Sequence, residues 1–476
     1  MPKSNLISGG KKIKDIQNTL VERDYAITLE EIKELYLRDN RPWIIGYSGG
    51  KDSTCVLQLI YKMLVELPEE KRNKKIHILS SDVLVENPIV RKRQLAVCNR
   101  INQQILKDKL PMALEILTPE LNDTFWVNLI GRGYPSPNKW FRWCTDRLKI
   151  KPMTKYIKEK VKENGEVIII LGTRKSESSS RSHTLDKYTI KGTNLKKHNS
   201  VPGAFVYAPL EDWLEIEVWD YLDKNESPWG ISNSELKRLY GKDDTEIEFI
   251  LDDKAKPSGT SRFGCWVCTV VDKDRALESF IDEGKDWLIP LLEFRNWLKE
   301  IRNDETKREK FRKAEKQKKL VADSLGKEYI PEERYGHKVL GPFTFETRKE
   351  IFKKLLSLQT LMDERGISLI TPEEIKAIET VWIYEGYQES SVSNIVEEKR
   401  NFDDYSLDYD EHTEELRTLS QKNSIQENLI QQLIHVEKDF STLSRRVGIF
   451  EKLDKVIDEY VMNEMSREIS EANENK

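Results

Sequence analysis

Apolar positions in the first half of the chain fall into short runs separated by longer amphipathic stretches. The run Trp43–Tyr47 leads into Ser48-Gly49-Gly50-Lys51-Asp52-Ser53, after which residues 53–67 carry a helical apolar pattern. The segment 75–82 (KIHILSSD) is followed by a helical pattern over 87–105, and 112–119, 166–173 and 205–210 are further short apolar runs bounded by polar or turn residues. This alternation predicts parallel βα units and an α/β, doubly wound sheet. Ligands of such sheets sit beyond the carboxyl ends of the strands, which is where the Ser48–Ser53 loop would lie.

The rest of the chain predicts a mainly helical C-terminal region. Residues 210–345 are tryptophan-rich and helical in pattern and contain RFGCWVC (262–268); within them, 302–320 predicts a basic helix. From 346 the pattern is of helices separated by polar linkers, with an acidic connector at 403–415. Leu429, Leu433, Val436, Phe440, Leu443, Val447 and Phe450 then step by fours and threes, a seam suited to a coiled coil or to packing within the chain. The expected division is a nucleotide-binding domain over 1–230, a helical region with the cysteine pair over 231–345, and a helical region with the heptad tail over 346–476.

Charge narrows the partners. Lys and Arg number 78 against 82 Asp and Glu, for a net charge of −4, so no global positive field draws in nucleic acid. A nucleic-acid partner must be met by local patches, of which 91–93, 174–198 and 302–320 are candidates, or through another protein. No apolar run is long enough to span a bilayer, and the N-terminal residues lack the core of a signal peptide, so the expectation is a cytoplasmic protein without a membrane partner. The five cysteines, Cys55, Cys98, Cys144, Cys265 and Cys268, are too few and too scattered for a disulfide framework. Cys55 and Cys98 fall inside helical patterns and read as small core residues.

The Ser48–Ser53 loop is an anion cradle by composition. A helix N-terminus offers unpaired backbone N–H groups and partial positive charge. Gly49 and Gly50 permit close backbone approach, Ser48 and Ser53 supply hydroxyls, and Lys51 adds a cation. Asp52 is placed to cap the helix or to help hold Mg²⁺. Neither the GxxxxGK[ST] spacing nor the three-glycine dinucleotide fingerprint is present. Arg174 and Arg181, after a predicted buried strand, suit phosphate or sulfate, or else pair with neighbouring acids such as Glu177. Cys265-Trp-Val-Cys268 has a spacing that lets two thiolates reach one centre, which leaves redox, zinc or iron–sulfur chemistry open.

YSGGKDS (47–53) resembles the pyrophosphatase loop of the adenine nucleotide alpha-hydrolases, which cleave ATP between its α and β phosphates. Four further segments resemble the phosphoadenosine-phosphosulfate reductases: 80–88 through Asp82, Glu86 and Pro88; 140–152 around Cys144; 171–181 through Gly172, Arg174, Glu177, Ser178 and Arg181; and 209–222. The resemblance implies binding of ATP and Mg²⁺ by Ser48, Gly49, Gly50, Lys51, Asp52, Ser53, Asp82, Gly172, Arg174 and Arg181, with Lys51, Asp52 and Arg174 acting in catalysis. By analogy with sulfur-inserting enzymes that share this loop, Cys144, Cys265 and Cys268 are expected to hold a [4Fe–4S] cluster with one iron open.

The combined pattern, continued by GPFTFETRKEI (341–351), resembles the sulfurtransferase-like family of bacterial DNA phosphorothioate modification. That resemblance implies DNA as substrate, a cysteine desulfurase as sulfur donor, and further phosphorothioation proteins including a coiled-coil ATPase. Thiolation of tRNA, sulfonucleotide reduction, and a non-catalytic protein that binds nucleotide and cluster are the alternatives.

Overall fold

In the computed structural model, residues 24–177, 187–240, 264–309 and 340–385 are described, with a discontinuous set between 387 and 461. Their centre is a six-stranded sheet of β1 (Trp43–Gly46), β2 (Ile76–Ser81), β3 (Met112–Leu117), β4 (Val167–Ile170), β5 (Lys196–Lys197) and β6 (Ala204–Tyr207). The strand order is β3-β2-β1-β4-β6-β5. All pairings are parallel except that of β5 with β6. The expected doubly wound sheet is therefore present, and the two-residue β5 is an antiparallel edge with no apolar run to announce it.

The central strands β1 and β4 are buried at every position because both faces are covered. Trp43, Ile45, Ile76, Ile78, Ile168 and Ile170 pack on one side with Ile32 and Tyr36 of α1 (Tyr25–Arg38), with Leu57, Ile60 and Leu64 of α2 (Lys51–Glu66), and with Ile101 and Ile105 of α3 (Pro88–Lys107). Ile44, Leu79, Val167 and Ile169 meet Met153 and Ile157 of α4 (Lys151–Asn164) on the other. Asn87 caps α3, its Oδ1 accepting from the Ile89 amide at 3.0 Å, and Pro88 takes the first turn, where its missing N–H costs nothing.

The described chain separates into two compact units, one of residues 1–125 and 136–301, the other of 126–135 and 302–476. The first holds the sheet, α5 (Glu215–Lys224), α6 (Asn233–Tyr240), the cysteine pair, α7 (Arg275–Asp282) and α8 (Ile289–Ile301). The second is built on α9 (Phe345–Asp363) and α10 (Pro372–Tyr384), the latter opened by a Thr371/Glu374 capping box. Within it the buried π-helical turn Val127–Gly131 is held by polar bonds. Trp382 Nε1 donates to the Ile130 carbonyl at 3.0 Å, Arg348 to that of Gly131 at 2.6 Å, and Trp126 Nε1 to that of Leu369 at 2.6 Å. Farther along, Leu429, Leu433 and Val436 pack with Leu453 and Val456, so this part of the heptad seam is covered within the chain. Phe440, Leu443, Val447 and Phe450 lie outside the described residues.

The basic helix expected over 302–320 is not formed in its described part. Residues 302–309 are turns and an isolated bridge between Arg308 and Phe343. Asp304 accepts from the Thr306 amide at 2.8 Å and hydroxyl at 2.7 Å, a local bond that competes with the helix. The Arg308 guanidinium is buried and spent on the carbonyls of Gly341, Arg302 and Leu340. Residues 310–320 lie outside the described set.

Asp274 caps α7 through the Leu277 amide at 3.1 Å, and burial pushes its carboxyl from 3.8 up to about 6, against the opposing pull of that amide and of Arg295. Its ionised form is therefore penalised in the fold. The penalty is absent below about pH 4, grows to pH 6 and is complete above it. Asp274→Asn keeps the cap acceptor without the charge. Urea midpoints of the two proteins should agree near pH 4 and favour the variant by about 1–3 kcal/mol at pH 8. A difference independent of pH would refute this account.

Candidate functional site

The sheet order reverses between β1 and β4, and the segments leaving the carboxyl ends of these two strands form the site. After β1, Gly49 takes φ +74° and Gly50 stands as the residue before α2. Ser53 Oγ accepts from the Ser48 amide at 3.3 Å and donates to the Gly50 carbonyl at 3.1 Å, and Ser48 Oγ accepts from the Gly50 amide at 3.3 Å. These bonds close the loop on itself. The N-terminus of α2 has no side-chain cap and opens at the carboxyl end of β1, where a helix end suits an anion.

Asp52 does not cap the helix. Its Oδ1 takes the Arg174 Nε–H at 2.6 Å, and its Oδ2 lies 3.4 Å from Lys51 Nζ. Lys51 is 1% exposed and also faces Glu215 of α5 at 3.4 Å. Two buried cations and a carboxylate thus converge at the mouth of the loop, which is the expected charge set for a polyphosphate. Arg174 also donates to Ser176 Oγ at 3.0 Å and lies 3.9 Å from Glu177, so it is paired with acids as one of its two expectations had it. Gly172 is what lets the segment after β4 reach the loop: a Cβ there would stand 2.7 Å from the Asp52 carbonyl carbon and 2.9 Å from the Ser53 nitrogen. Asp82, beyond β2, is buried and accepts from the Leu84 amide at 2.9 Å and from Arg91 at 2.8 Å. Arg181 and Ser178 lie outside the described residues.

The cysteines sort into two kinds. Cys55 and Cys98 are buried in the core beside the sheet, and burial drives both thiols up, that of Cys98 to about 11. Cys144, Cys265 and Cys268 come from separate segments of the first unit into one electrostatic neighbourhood. Burial, then the Cys268 thiol, raises Cys144 to about 12. Burial raises Cys265 far more than Lys149 lowers it, with Cys268, Glu86 and Cys144 adding to the rise. Soft donors gathered where solvent is scarce have the chemistry of an iron–sulfur or other thiolate-bound centre. As placed, however, the described side chains include no group of three or more His, Cys, Asp or Glu in a ligation geometry.

The structure adds residues that the sequence did not single out for a role. Glu86 pairs backbone with Cys265 in an antiparallel bridge, the Asn87 amide donating to the Gly264 carbonyl at 3.1 Å and that of Trp266 to Val85 at 3.1 Å. Its buried Oε2 has no hydrogen-bond partner. Burial lifts its carboxyl to about 7 despite Lys149. Lys149 acts on Glu86, Cys144 and Cys265 alike. Its position five residues after Cys144 was the available signal; nothing in the sequence places Glu215 against Lys51.

Some of the cations in two of the expected nucleic-acid patches are engaged within the chain. Arg91 pairs with Asp82 and Arg93 with Glu235, while Lys175 and Lys196 both hold Glu211. In the third, Lys307 pairs with Glu350 and Arg308 is buried.

An uncharacterized protein of Methanocaldococcus jannaschii is 24% identical over 241 residues, which are 51% of this chain and 39% of that protein. The chain thus spans about two-fifths of the length of this curated relative. Among solved structures, the phosphoadenylyl-sulfate reductase of Candida auris is 16% identical with a TM-score of 0.28, covering 47% of this chain and 89% of that one. The U34-tRNA thiolase NcsA of Methanococcus maripaludis, solved with its [4Fe–4S] cluster, is 14% identical with a TM-score of 0.27, covering 46% and 72%. Residues 42–271, from the strand before the loop to just past the cysteine pair, match the phosphoadenosine phosphosulfate reductase domain family.

Proposed function

We propose that the chain is a sulfurtransferase-type enzyme of the DndC kind, which cleaves ATP to AMP and pyrophosphate to activate the DNA backbone for phosphorothioate modification. The observation that carries the reading is the uncapped N-terminus of α2 at the sheet's switch point, faced by buried Lys51 and by Arg174. The reductase-like domain around it supports nucleotide chemistry, and the three thiols in the same unit support sulfur chemistry.

The β and γ phosphates of ATP sit on the amides of the Ser48–Ser53 loop. Lys51 and Arg174 neutralise the charge that grows on the leaving pyrophosphate, and Mg²⁺, when bound, would spread what remains. A non-bridging oxygen of a DNA phosphodiester attacks the α-phosphorus, the α–β bond breaks, and an adenylated backbone results. Sulfide then attacks the backbone phosphorus, and AMP departs with the original oxygen. A [4Fe–4S] cluster on Cys144, Cys265 and Cys268, when bound, would hold that sulfide, which a cysteine desulfurase delivers as persulfide sulfur and a two-electron thiol or ferredoxin-type reductant releases. Asp52 holds Arg174 in place throughout, so its role is positional as much as electrostatic.

ATP labelled at the α or γ phosphate should give AMP and pyrophosphate in the presence of DNA and a sulfide source. Replacing Lys51 by Ala should lower that turnover by about 10²–10³-fold. Formation of ADP and phosphate by the wild type would sink the proposal.

Anaerobically purified protein should be brown, with iron and acid-labile sulfide in near-equal amounts. Cys144→Ser, Cys265→Ser and Cys268→Ser should each lose most of both, whereas Cys98→Ser should keep them. A colourless wild type with stoichiometric zinc would show that the thiols serve another metal.

A further inference from the structure

The loop that leads into Cys144 carries a tryptophan that packs on nothing. Trp140 is 96% exposed and Phe141 43% exposed, in the sequence Lys139-Trp140-Phe141-Arg142. A large aromatic left almost wholly in water is unusual, since burying it would be worth more than any other side chain of this stretch. The exposure does not come from a slack backbone. Asn138 Oδ1 accepts from the amides of Trp140 at 2.8 Å and Phe141 at 2.9 Å, and the Asn138 amide donates to the Phe141 carbonyl at 3.2 Å. The base of the loop is tied to the cysteine pair, because Thr269, next to Cys268, donates its hydroxyl to the Pro137 carbonyl at 2.6 Å. The far end is anchored by Trp143, buried and stacked on Phe125 with ring centres 5.3 Å apart. Trp140 is thus held out on a pinned loop beside the thiols.

The charges around it fit an anionic polymer. From 139 to 151 the chain has Lys139, Arg142, Arg147, Lys149 and Lys151 against the single acid Asp146. Arg147 and Lys151 are engaged by Asp123, but no salt bridge among the described residues engages Lys139 or Arg142. Asp272, bonded to Lys299, also feels Lys139, which places this cation near the stretch after Cys268. An exposed aromatic between cations is the pattern by which proteins stack an unpaired base while holding its phosphates.

We propose that Trp140 is a stacking platform for one unpaired base of the DNA strand, with Lys139 and Arg142 on the flanking phosphates, so that the neighbouring phosphodiester is presented at the Cys144 side of the site. The proposal rests on the reading of DNA as substrate.

The test is fluorescence anisotropy of the full chain with labelled 20-nucleotide single-stranded DNA, the same sequence as duplex, and its RNA counterpart, at 50 and 150 mM salt. Trp140→Ala should weaken single-strand binding about 5- to 50-fold at both salt concentrations, and Trp140→Phe should restore most of it. Lys139→Ala with Arg142→Ala should instead flatten the salt dependence, by about 1.4 in the slope of log affinity on log salt. Unchanged melting temperatures of the variants exclude a folding effect. Equal binding by wild type and Trp140→Ala overturns the platform and leaves the DNA reading standing, as does a variant altered only in self-association. Binding of RNA but not DNA, still dependent on Trp140, supports the platform and overturns DNA as its substrate. No binding of any oligonucleotide by the wild type overturns both.

Discussion

The site depends on how closely two stretches of backbone approach. The segment leaving β4 passes over the first turn of the loop helix at a distance that leaves no room for a side chain at Gly172. This contact brings Arg174 to Asp52 and sets a guanidinium across the helix N-terminus from a buried lysine. Both cations would be costly to bury alone. Asp52, Glu215 and Glu177 make them affordable while leaving the helix amides uncapped. The cradle is therefore a balance in which acids from three segments keep the cations in place until an anion arrives.

Much of this frame was legible in the residues. Strands buried on both faces read as unbroken apolar runs, and the glycine loop read as an anion cradle because its composition has few other uses. Where the sequence misled, the causes are specific. A basic, apolar-poor run suggested a helix after Ile301, but Asp304 bonds locally and Arg308 is drawn inward by three carbonyls. β5 consists of two lysines and owes its place to backbone pairing with β6 and with Tyr188 and Thr189. Glu215 and Glu86 belong to segments whose resemblance was plain, yet their contacts are made across the fold and leave no local periodicity to read.

The thiols show the same division between composition and placement. Spacing paired Cys265 with Cys268, but only the fold brings Cys144 toward them, and only the fold adds Glu86 through a backbone bridge. Cys55 and Cys98, chemically the same, are spent as core volume. Burial raises the thiols of Cys55, Cys98, Cys144 and Cys265 alike, so what sets Cys144 and Cys265 apart is the approach of Cys268 and of each other rather than acidity.

The second unit takes residues 126–135 from the middle of the first, and this has a consequence for how the protein is made. The Ile130 carbonyl waits for the indole of a residue 252 positions later. At a synthesis rate of about 5–20 residues per second that wait is roughly 10–50 s. During it the buried turn Val127–Gly131 has only its local bonds to Arg132 and Tyr134, and Arg348, which bonds the Gly131 carbonyl, has not yet been added. Residues 126–135 are therefore left to pack only after α9 and α10 have been made, and a chaperone that recognises exposed Trp126, Val127, Leu129 and Ile130 would have its window there.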